Sequence, residues 1–506
     1  MAISKPESNI TPFYANCNIF ITGASGFLGK VLAEKLLRSC PEVAGIYLLI
    51  RKKKGFDEKQ RLATLTENSI FDVLRIQQPN FARKLHPILG DIECEGLSLQ
   101  SADREFLIKN IDIVFHVAAT VRFNEVLRRA VNMNIRGTLE ILRLCEEMEH
   151  LKVMLYTSTA YSHCYRKTIE ETCYPAPCSP RTIIKFVNEI NNDTLNEITS
   201  SLLTQGHNTW PNNYTFTKAI AEELIMERQK RLPVAIVRPG IVNCTYNEPV
   251  RAWCDNMFGV VGFIAAGMTI MNVTLGNANN KPKLVPADYC MNAHIVAAER
   301  VASDFKKNVP TRKTIYNYVP SDASHLSYSE YIALSTENIP KYPLRAWIYP
   351  YFLFYTKCTY LYRFLTIILH YLPALLLDLF IMAKGKKPRY INVYKQIDKL
   401  SEALRHFTSN TWSMANDNVN NLFNGLNDTD KQLFPFDIDN INHKYWLELA
   451  PYGIRKYLLK EPMDEKSLEA DRAIYKKMVI VHRTLVTGFY LMVLYFIYYL
   501  YTVLLQ

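Results

Sequence analysis

The sequence has no C-x-x-C pair. Its 11 cysteines are scattered, and the nearest two, Cys173 and Cys178, flank a proline-rich turn. That usage argues against a disulfide framework or a zinc ribbon and fits buried thiols in a reducing compartment. No metal site is expected. Zinc-finger spacing is missing, and so is a basic region followed by heptads. The net charge of +11 over 506 residues therefore does not read as a nucleic-acid footprint. An anionic membrane surface or a phosphate-bearing ligand remains. Residues 1–17 lack the apolar core of a signal peptide. No sustained repeat or low-complexity tract is present. One stretch lacks charge altogether: Thr484 to Gln506 is dense in Leu, Tyr, Phe, Val and Ile, long enough to cross a hydrocarbon core as one helix.

What is present begins with Ile19-Phe20-Ile21, a short buried strand, followed by glycines at 23, 26 and 29 and a helical pattern through Val31, Leu32, Leu36 and Leu37. Strand, glycine turn and helix in that order cradle a dinucleotide pyrophosphate at a helix N-terminus. The G-x-x-G-x-x-G spacing is that of extended short-chain dehydrogenases. Gly45 to Ile50 reads as the second parallel strand, and it runs into Arg51-Lys52-Lys53-Lys54. An acidic residue there would select the ribose of NAD; Arg51 suits the 2′-phosphate of NADP, and the later lysines read as solvated. A third strand ends in Gly90-Asp91-Ile92, where Asp91 either accepts from an adenine amine or caps the next turn. A fourth, Ile111 to Val117, ends in the small residues Ala118 and Ala119, against which a flat cofactor can lie. His116 reads as an interior histidine.

The strand Lys152–Tyr156 runs into Thr157-Ser158-Thr159-Ala160, hydroxyls at the carboxyl end where open α/β sheets bind ligands. Some 55 positions on, Tyr214 and Lys218 stand four apart on a helical pattern and share a face. A tyrosine near pKa 10 needs help to act near neutrality; an ammonium on its face is expected to lower that value.

These motifs, in this order, resemble an alcohol-forming fatty acyl-CoA reductase of the extended short-chain dehydrogenase superfamily, with an apolar tail similar to the insect members. The residues carrying the resemblance are Thr22-Gly23-Ala24-Ser25-Gly26-Phe27-Leu28-Gly29, Val114 to Phe123, Asn213-Tyr214-Thr215-Phe216-Thr217-Lys218 and Arg238-Pro239-Gly240-Ile241. It continues through Glu248-Pro249, Asp255-Asn256, Val285-Pro286-Ala287-Asp288 and Phe436 to Glu461. One departure is Arg251-Ala252-Trp253, where the family usually has glycine before the tryptophan; this bears on the loop, not on the chemistry. The resemblance implies a Rossmann-type doubly wound parallel sheet followed by a mainly helical region. It implies Tyr214 and Lys218 as the catalytic pair, with Thr159, or else Ser158, as hydroxyl partner. It implies Thr22, Gly23, Ser25, Gly26, Phe27, Leu28, Gly29, Arg51, Asp91, Ile92, Ala118, Ala119, Lys218, Pro239, Gly240 and Ile241 around the cofactor. The implied reaction takes a long-chain fatty acyl-CoA with two NADPH to a primary alcohol and free CoA, by way of a bound aldehyde. Two alternatives stay open: a membrane-bound sterol or hydroxysteroid dehydrogenase, and a non-catalytic lipid-binding scaffold.

Composition divides the chain into a reductase domain over 1–330, apolar helices and a basic linker over 331–390, a helical domain over 391–475 and a transmembrane anchor over 484–506. Trp347 to Ala383 is strongly apolar, but Lys357, Arg363, His370, Pro373 and Asp378 interrupt it. Those interruptions argue against a simple span and for hairpin-like helices on a membrane, or a lid over an acyl tunnel; two packed core helices are the plainer alternative. Lys384-Gly385-Lys386-Lys387-Pro388-Arg389 suits anionic headgroups or the phosphates of coenzyme A. Lys476, Lys477, His482 and Arg483 before the anchor keep that side, and the catalytic region, cytosolic. The last residues are not the Ser-Lys-Leu peroxisomal address, which favours the endoplasmic reticulum. Oligomeric state is left open.

Overall fold

The computed structural model describes residues 7–52, 55, 57–205, 207–256, 262, 265–266, 270–345 and 352–504. Lys53 and Lys54 of the basic run, residues 347–351 of the apolar stretch and residues 505–506 of the expected anchor lie outside the described residues. The chain forms two compact units: Met1–Val260 with Asn280–Ser327 and Asn410–Asn442, and Val261–Asn279 with Tyr328–Ser409 and His443–Gln506.

The first unit is built on a seven-stranded sheet. Its strands are β1 (Asn18–Thr22), β2 (Gly45–Ile50), β3 (Leu85–Leu89), β4 (Ile113–His116), β5 (Val153–Thr157), β6 (Val234–Pro239) and β7 (Ile315–Tyr318). The spatial order is β7-β6-β5-β4-β1-β2-β3, and every pairing is parallel. The sequence reason is direct. Runs such as Ile-Phe-Ile and Val-Met-Leu-Tyr are buried along their length, as strands covered on both faces require. This is the doubly wound parallel sheet expected from the glycine turn. The strand order reverses between β1 and β4, and ligands bind outside the carboxyl ends of the strands at such a switch point.

Helix α1 (Phe27–Ser39) starts from Gly26 and buries Val31, Leu32, Leu36 and Leu37. Helix α2 (Asn213–Met226) is capped by Asn212, whose side chain accepts from the Thr215 N–H at 2.9 Å. The segment 410–442 completes the unit. Ser413–Met414 pairs with Thr168–Ile169, the Trp412 indole donates to the Cys164 carbonyl at 2.8 Å, and Asn416 donates to the Val319 carbonyl at 2.9 Å.

In the second unit, Val273–Leu275 pairs with Phe354–Thr356. Helix α3 (Thr359–Ala383) follows, 25 residues long and by length and composition apolar enough to cross a membrane. The expectation of hairpin-like helices within this stretch is corrected: from Thr359 it is one continuous helix with a π-helical turn at Ile367–Tyr371. Of the polar interruptions within it, His370 and Asp378 are met by α4 (Tyr390–Ser409), while Arg363 is exposed. The Asp378 carboxylate accepts from the N–H groups of Arg389, Tyr390 and Ile391 at 2.8–3.0 Å. Helix α5 (Glu465–Leu504) is 40 residues long.

Candidate active site

The glycines of the turn are required by contact. Gly23 has φ +74°, and a Cβ there would sit 2.7 Å from the Ala118 nitrogen; a Cβ on Gly29 would lie 2.6 Å from the Ala24 Cα. The turn thus packs against the end of β4 at the switch point, and Ser25 and Gly26 stand exposed at the start of α1. That cradle fits a pyrophosphate, received by backbone N–H groups at a helix N-terminus. Phe27 and Leu28 are half-buried, and Phe27 stacks on Trp253 with ring centres 5.4 Å apart. Thr22 is fully buried. Its hydroxyl shares a 2.7 Å hydrogen bond with His116 Nδ1 and accepts from the Ala118 N–H at 3.2 Å, so it ties β1 to β4. His116 bonds Thr138 on its other side at 3.0 Å. Burial, and then the nearby Lys218, pull its pKa down to about 3: an interior, neutral imidazole. Ala118 and Ala119 are half-buried at the strand end.

At the end of β2, Arg51 pairs with Asp91 at 3.1 Å and with Glu93 at 2.8 Å. Glu93 also takes Arg129 at 3.2 Å. Asp91 accepts from the Glu93 N–H at 3.0 Å, a bond that caps the turn. Ile92 is buried against Gly137. The structure therefore gathers Arg51 and Asp91, read separately from the sequence, into one ion pair.

Tyr214, Lys218 and the hydroxyls after β5 come together at the carboxyl edge of the sheet. The Thr159 hydroxyl lies near enough to the Tyr214 phenol to act on its acidity, and the Tyr214 ring stacks on Phe123 at 5.9 Å. Ser158 is turned elsewhere and donates to Glu222 at 2.5 Å. Lys218 is buried, and its ammonium donates to the Tyr156 hydroxyl at 3.1 Å and the Thr157 carbonyl at 2.6 Å. The expected lowering of Tyr214 by Lys218 is not found. Burial pushes Tyr214 up to about 12, opposed only by the nearby Thr159 hydroxyl. Burial pulls Lys218 down to about 7, opposed by the charge of Glu222. The reason is geometric: the ammonium faces the strand beneath it. Pro239 lies beside this edge, its carbonyl accepting from the Ala160 N–H at 2.8 Å. Gly240 lets the chain pass against the Lys283 carbonyl, which takes the Ile241 N–H at 2.7 Å.

Two residues that the sequence does not mark as functional belong to this site. Glu222, one turn beyond Lys218, is 1% exposed. It accepts from Arg238 through both oxygens at 2.9 and 2.7 Å, from Ser162 at 3.0 Å, and bonds His163 at 3.1 Å. Burial alone would raise its carboxyl; Arg238 and then His163 hold it far below the usual range. The available signal was an acid at i+8 from Tyr214 on an apolar helix face. Asn134 sits in a π-helical turn, Asn132–Arg136, a feature frequent at functional sites. It joins the Thr120 N–H (3.0 Å) to the Thr217 hydroxyl (2.9 Å). Among the described residues, no group of three or more His, Cys, Asp or Glu is placed to hold a metal ion.

A doubly wound parallel sheet, a glycine cradle at its switch point and a hydroxyl–tyrosine–lysine edge define a nicotinamide-dinucleotide reductase fold. Residues 21–294 match an NAD-binding family described as male sterility protein, and residues 369–461 match a second family of that description. The chain is 37% identical to fatty acyl-CoA reductase wat of Drosophila melanogaster, covering 96% of this chain and 92% of that protein. It is 36% identical to fatty acyl-CoA reductase 1 of Rattus norvegicus, covering 90% and 87%. The chain belongs to the fatty acyl-CoA reductase family. The fold is shared with the solved reductase domain of a non-ribosomal peptide synthetase from Mycobacterium tuberculosis (TM-score 0.57, 17% identity, 89% of this chain and 96% of that one). It is shared too with the terminal reductase domain of the myxalamid pathway (TM-score 0.56, 19% identity, 88% and 93%).

Proposed function

We propose that the protein reduces a long-chain fatty acyl-CoA with NADPH to a primary fatty alcohol and free coenzyme A, holding the aldehyde between two reductions. The observation that carries this reading is the meeting of Thr159, Tyr214 and the buried Lys218 at one edge of the sheet, in a chain of this family. A reduced nicotinamide, when bound, supplies the hydride in each round. The hydroxyls of Tyr214 and Thr159 donate to the thioester carbonyl oxygen and hold the oxyanion as it forms. Collapse of that tetrahedral species breaks the carbon–sulfur bond and releases the coenzyme A thiolate. In the second round Tyr214 Oη gives its proton to the alkoxide. Ser158, engaged with Glu222, supports the strand end and does not touch substrate.

Gly23, Gly26 and Gly29 would hold the pyrophosphate, Ala118 and Ala119 the flat rings, and Pro239 to Ile241 the nicotinamide end. Arg51 would meet the 2′-phosphate, exchanging part of its pairing with Asp91 and Glu93 for a dianion. The uncharged end of α5 is taken as a membrane anchor, with the catalytic unit on the cytosolic side of Lys476, Lys477 and Arg483.

The test is product analysis of membranes carrying the protein, given NADPH and acyl-CoA of mixed chain length, beside Tyr214→Phe. Alcohol from the parent protein alone, with about two NADPH consumed per alcohol, supports the proposal. Aldehyde as sole product would remove the second reduction. Unchanged turnover in a folded Tyr214→Phe protein would remove the mechanism.

A further inference from the structure

Helix α3 is built inside out. Its buried residues are Tyr362, Thr366, His370, Ala374 and Asp378, a stripe with one residue in every four. The π-helical turn at Ile367–Tyr371 absorbs one residue and keeps both halves of that stripe on one side. The stripe is mostly polar, and α4 meets it at Tyr362, His370 and Asp378. Tyr362 and Tyr371 donate to the two oxygens of Asp398 at 2.8 and 2.5 Å. The His370 ring stacks on Tyr394 at 4.7 Å, and its Nε2 accepts from the Asn272 N–H at 3.0 Å. Asp378 caps the start of α4. Apart from Arg363 in its first turns, the outer face is the apolar one: Phe364, Ile367, Leu372, Leu376, Leu379 and Phe380 are each 51–60% exposed. An apolar face of this length marks an interaction surface.

We propose that α3 lies in the plane of a membrane, its outer face bedded in one leaflet of an anionic phospholipid bilayer and its polar stripe held on α4. Two observations choose this occupant. Immediately after the apolar face come Lys384, Lys386, Lys387 and Arg389, all exposed. Four cations within six positions complement anionic headgroups rather than an apolar protein partner. Lys384 also lies 4.2 Å from the Phe380 ring centre, its charge at the margin of the apolar face, as a snorkelling lysine does. The partner helix excludes a crossing. α4 carries Lys395, Gln396, Lys399 and Glu402 on its exposed face, and a spanning α3 would draw those charges into hydrocarbon. The proposal is independent of the reaction: it holds whatever product the active site makes.

The full-length protein, reconstituted in phosphatidylcholine–phosphatidylserine vesicles, tests it with a genetically encoded fluorescent residue placed singly at Phe364, Leu376, Lys387 or Gln396. Reporters at 364 and 376 are expected to be quenched by lipids spin-labelled in mid-chain and shielded from aqueous iodide. At 396 the pattern is expected to reverse, and at 387 only headgroup labels should quench. Iodide access at 364 and 376 would overturn the proposal. Shielding from both quenchers there would mean that a second copy or another protein covers the face, and would also overturn it. Mid-chain quenching at 396 would make α3 a spanning helix instead. Replacing Lys384, Lys386 and Lys387 by glutamate should abolish mid-chain quenching at 376; unchanged quenching would remove the anionic headgroup from the proposal.

Discussion

Lys218 is a cation whose charge depends on one neighbour. Its pKa of about 7 is set by burial and raised only by Glu222, while Tyr214 keeps its proton to about 12. With the protonated lysine as the working form, kcat/KM is expected to be level on the acid side and to fall as pH rises through about 7. Lys218→Arg keeps its charge throughout and should remove that fall; Glu222→Gln should move it to lower pH. A profile unchanged in both would assign the titration to another group. Arg51 makes a second prediction at this scale. A charge-assisted hydrogen bond is worth about 1.5–3 kcal/mol. Arg51→Ala should therefore raise the KM for NADPH about tenfold or more and leave that for NADH nearly unchanged; equal losses for both would argue against a 2′-phosphate contact. Tyr214 and Lys218 were legible because helix period alone puts residues four apart on one face. Glu222, Asn134 and Tyr156 were not, because their partners come from other strands and helices, and no local pattern names them.

The strands of the sheet were equally legible, since a parallel strand covered on both faces is a continuous apolar run. Helix α3 was not. Average hydropathy records how much apolar side chain a helix carries, not which way it points, so its inward polar stripe read as interruption. The loop before Trp253 shows a third case. Ala252 stands at φ +59°, held there by its N–H to the Thr245 carbonyl and by the Trp253 N–H to the Thr245 hydroxyl, at 3.1 and 2.9 Å. The sequence departure from glycine thus falls on a residue in the left-handed region, which costs an L-residue about 1–2 kcal/mol. Ala252→Gly is expected to raise Tm with activity unchanged. A fall in Tm would show that the loss of chain freedom on folding, larger for glycine, outweighs the relief.

On the scale of the whole chain, the sheet-bearing unit is assembled from three separated segments. The expected boundary falls at residue 330, ahead of the apolar stretch that begins at Trp347; the compact unit also takes in 410–442, whose bonds to Cys164, Ile169 and Val319 leave no mark in composition. A chain ending at residue 330 is therefore expected to be insoluble, or to unfold without a cooperative transition by circular dichroism. A soluble, cooperative product would mean that 410–442 is dispensable. The same arrangement has a consequence in time. All seven strands leave the ribosome before the segment that closes over Thr168–Ile169. Ser413 follows Tyr318 by about 95 residues, so at common rates of synthesis the unit waits about 5–20 s for its last piece. During that interval the sheet is complete, but Thr168–Ile169 and the carbonyls of Cys164 and Val319 lack the partners that 412–416 will bring.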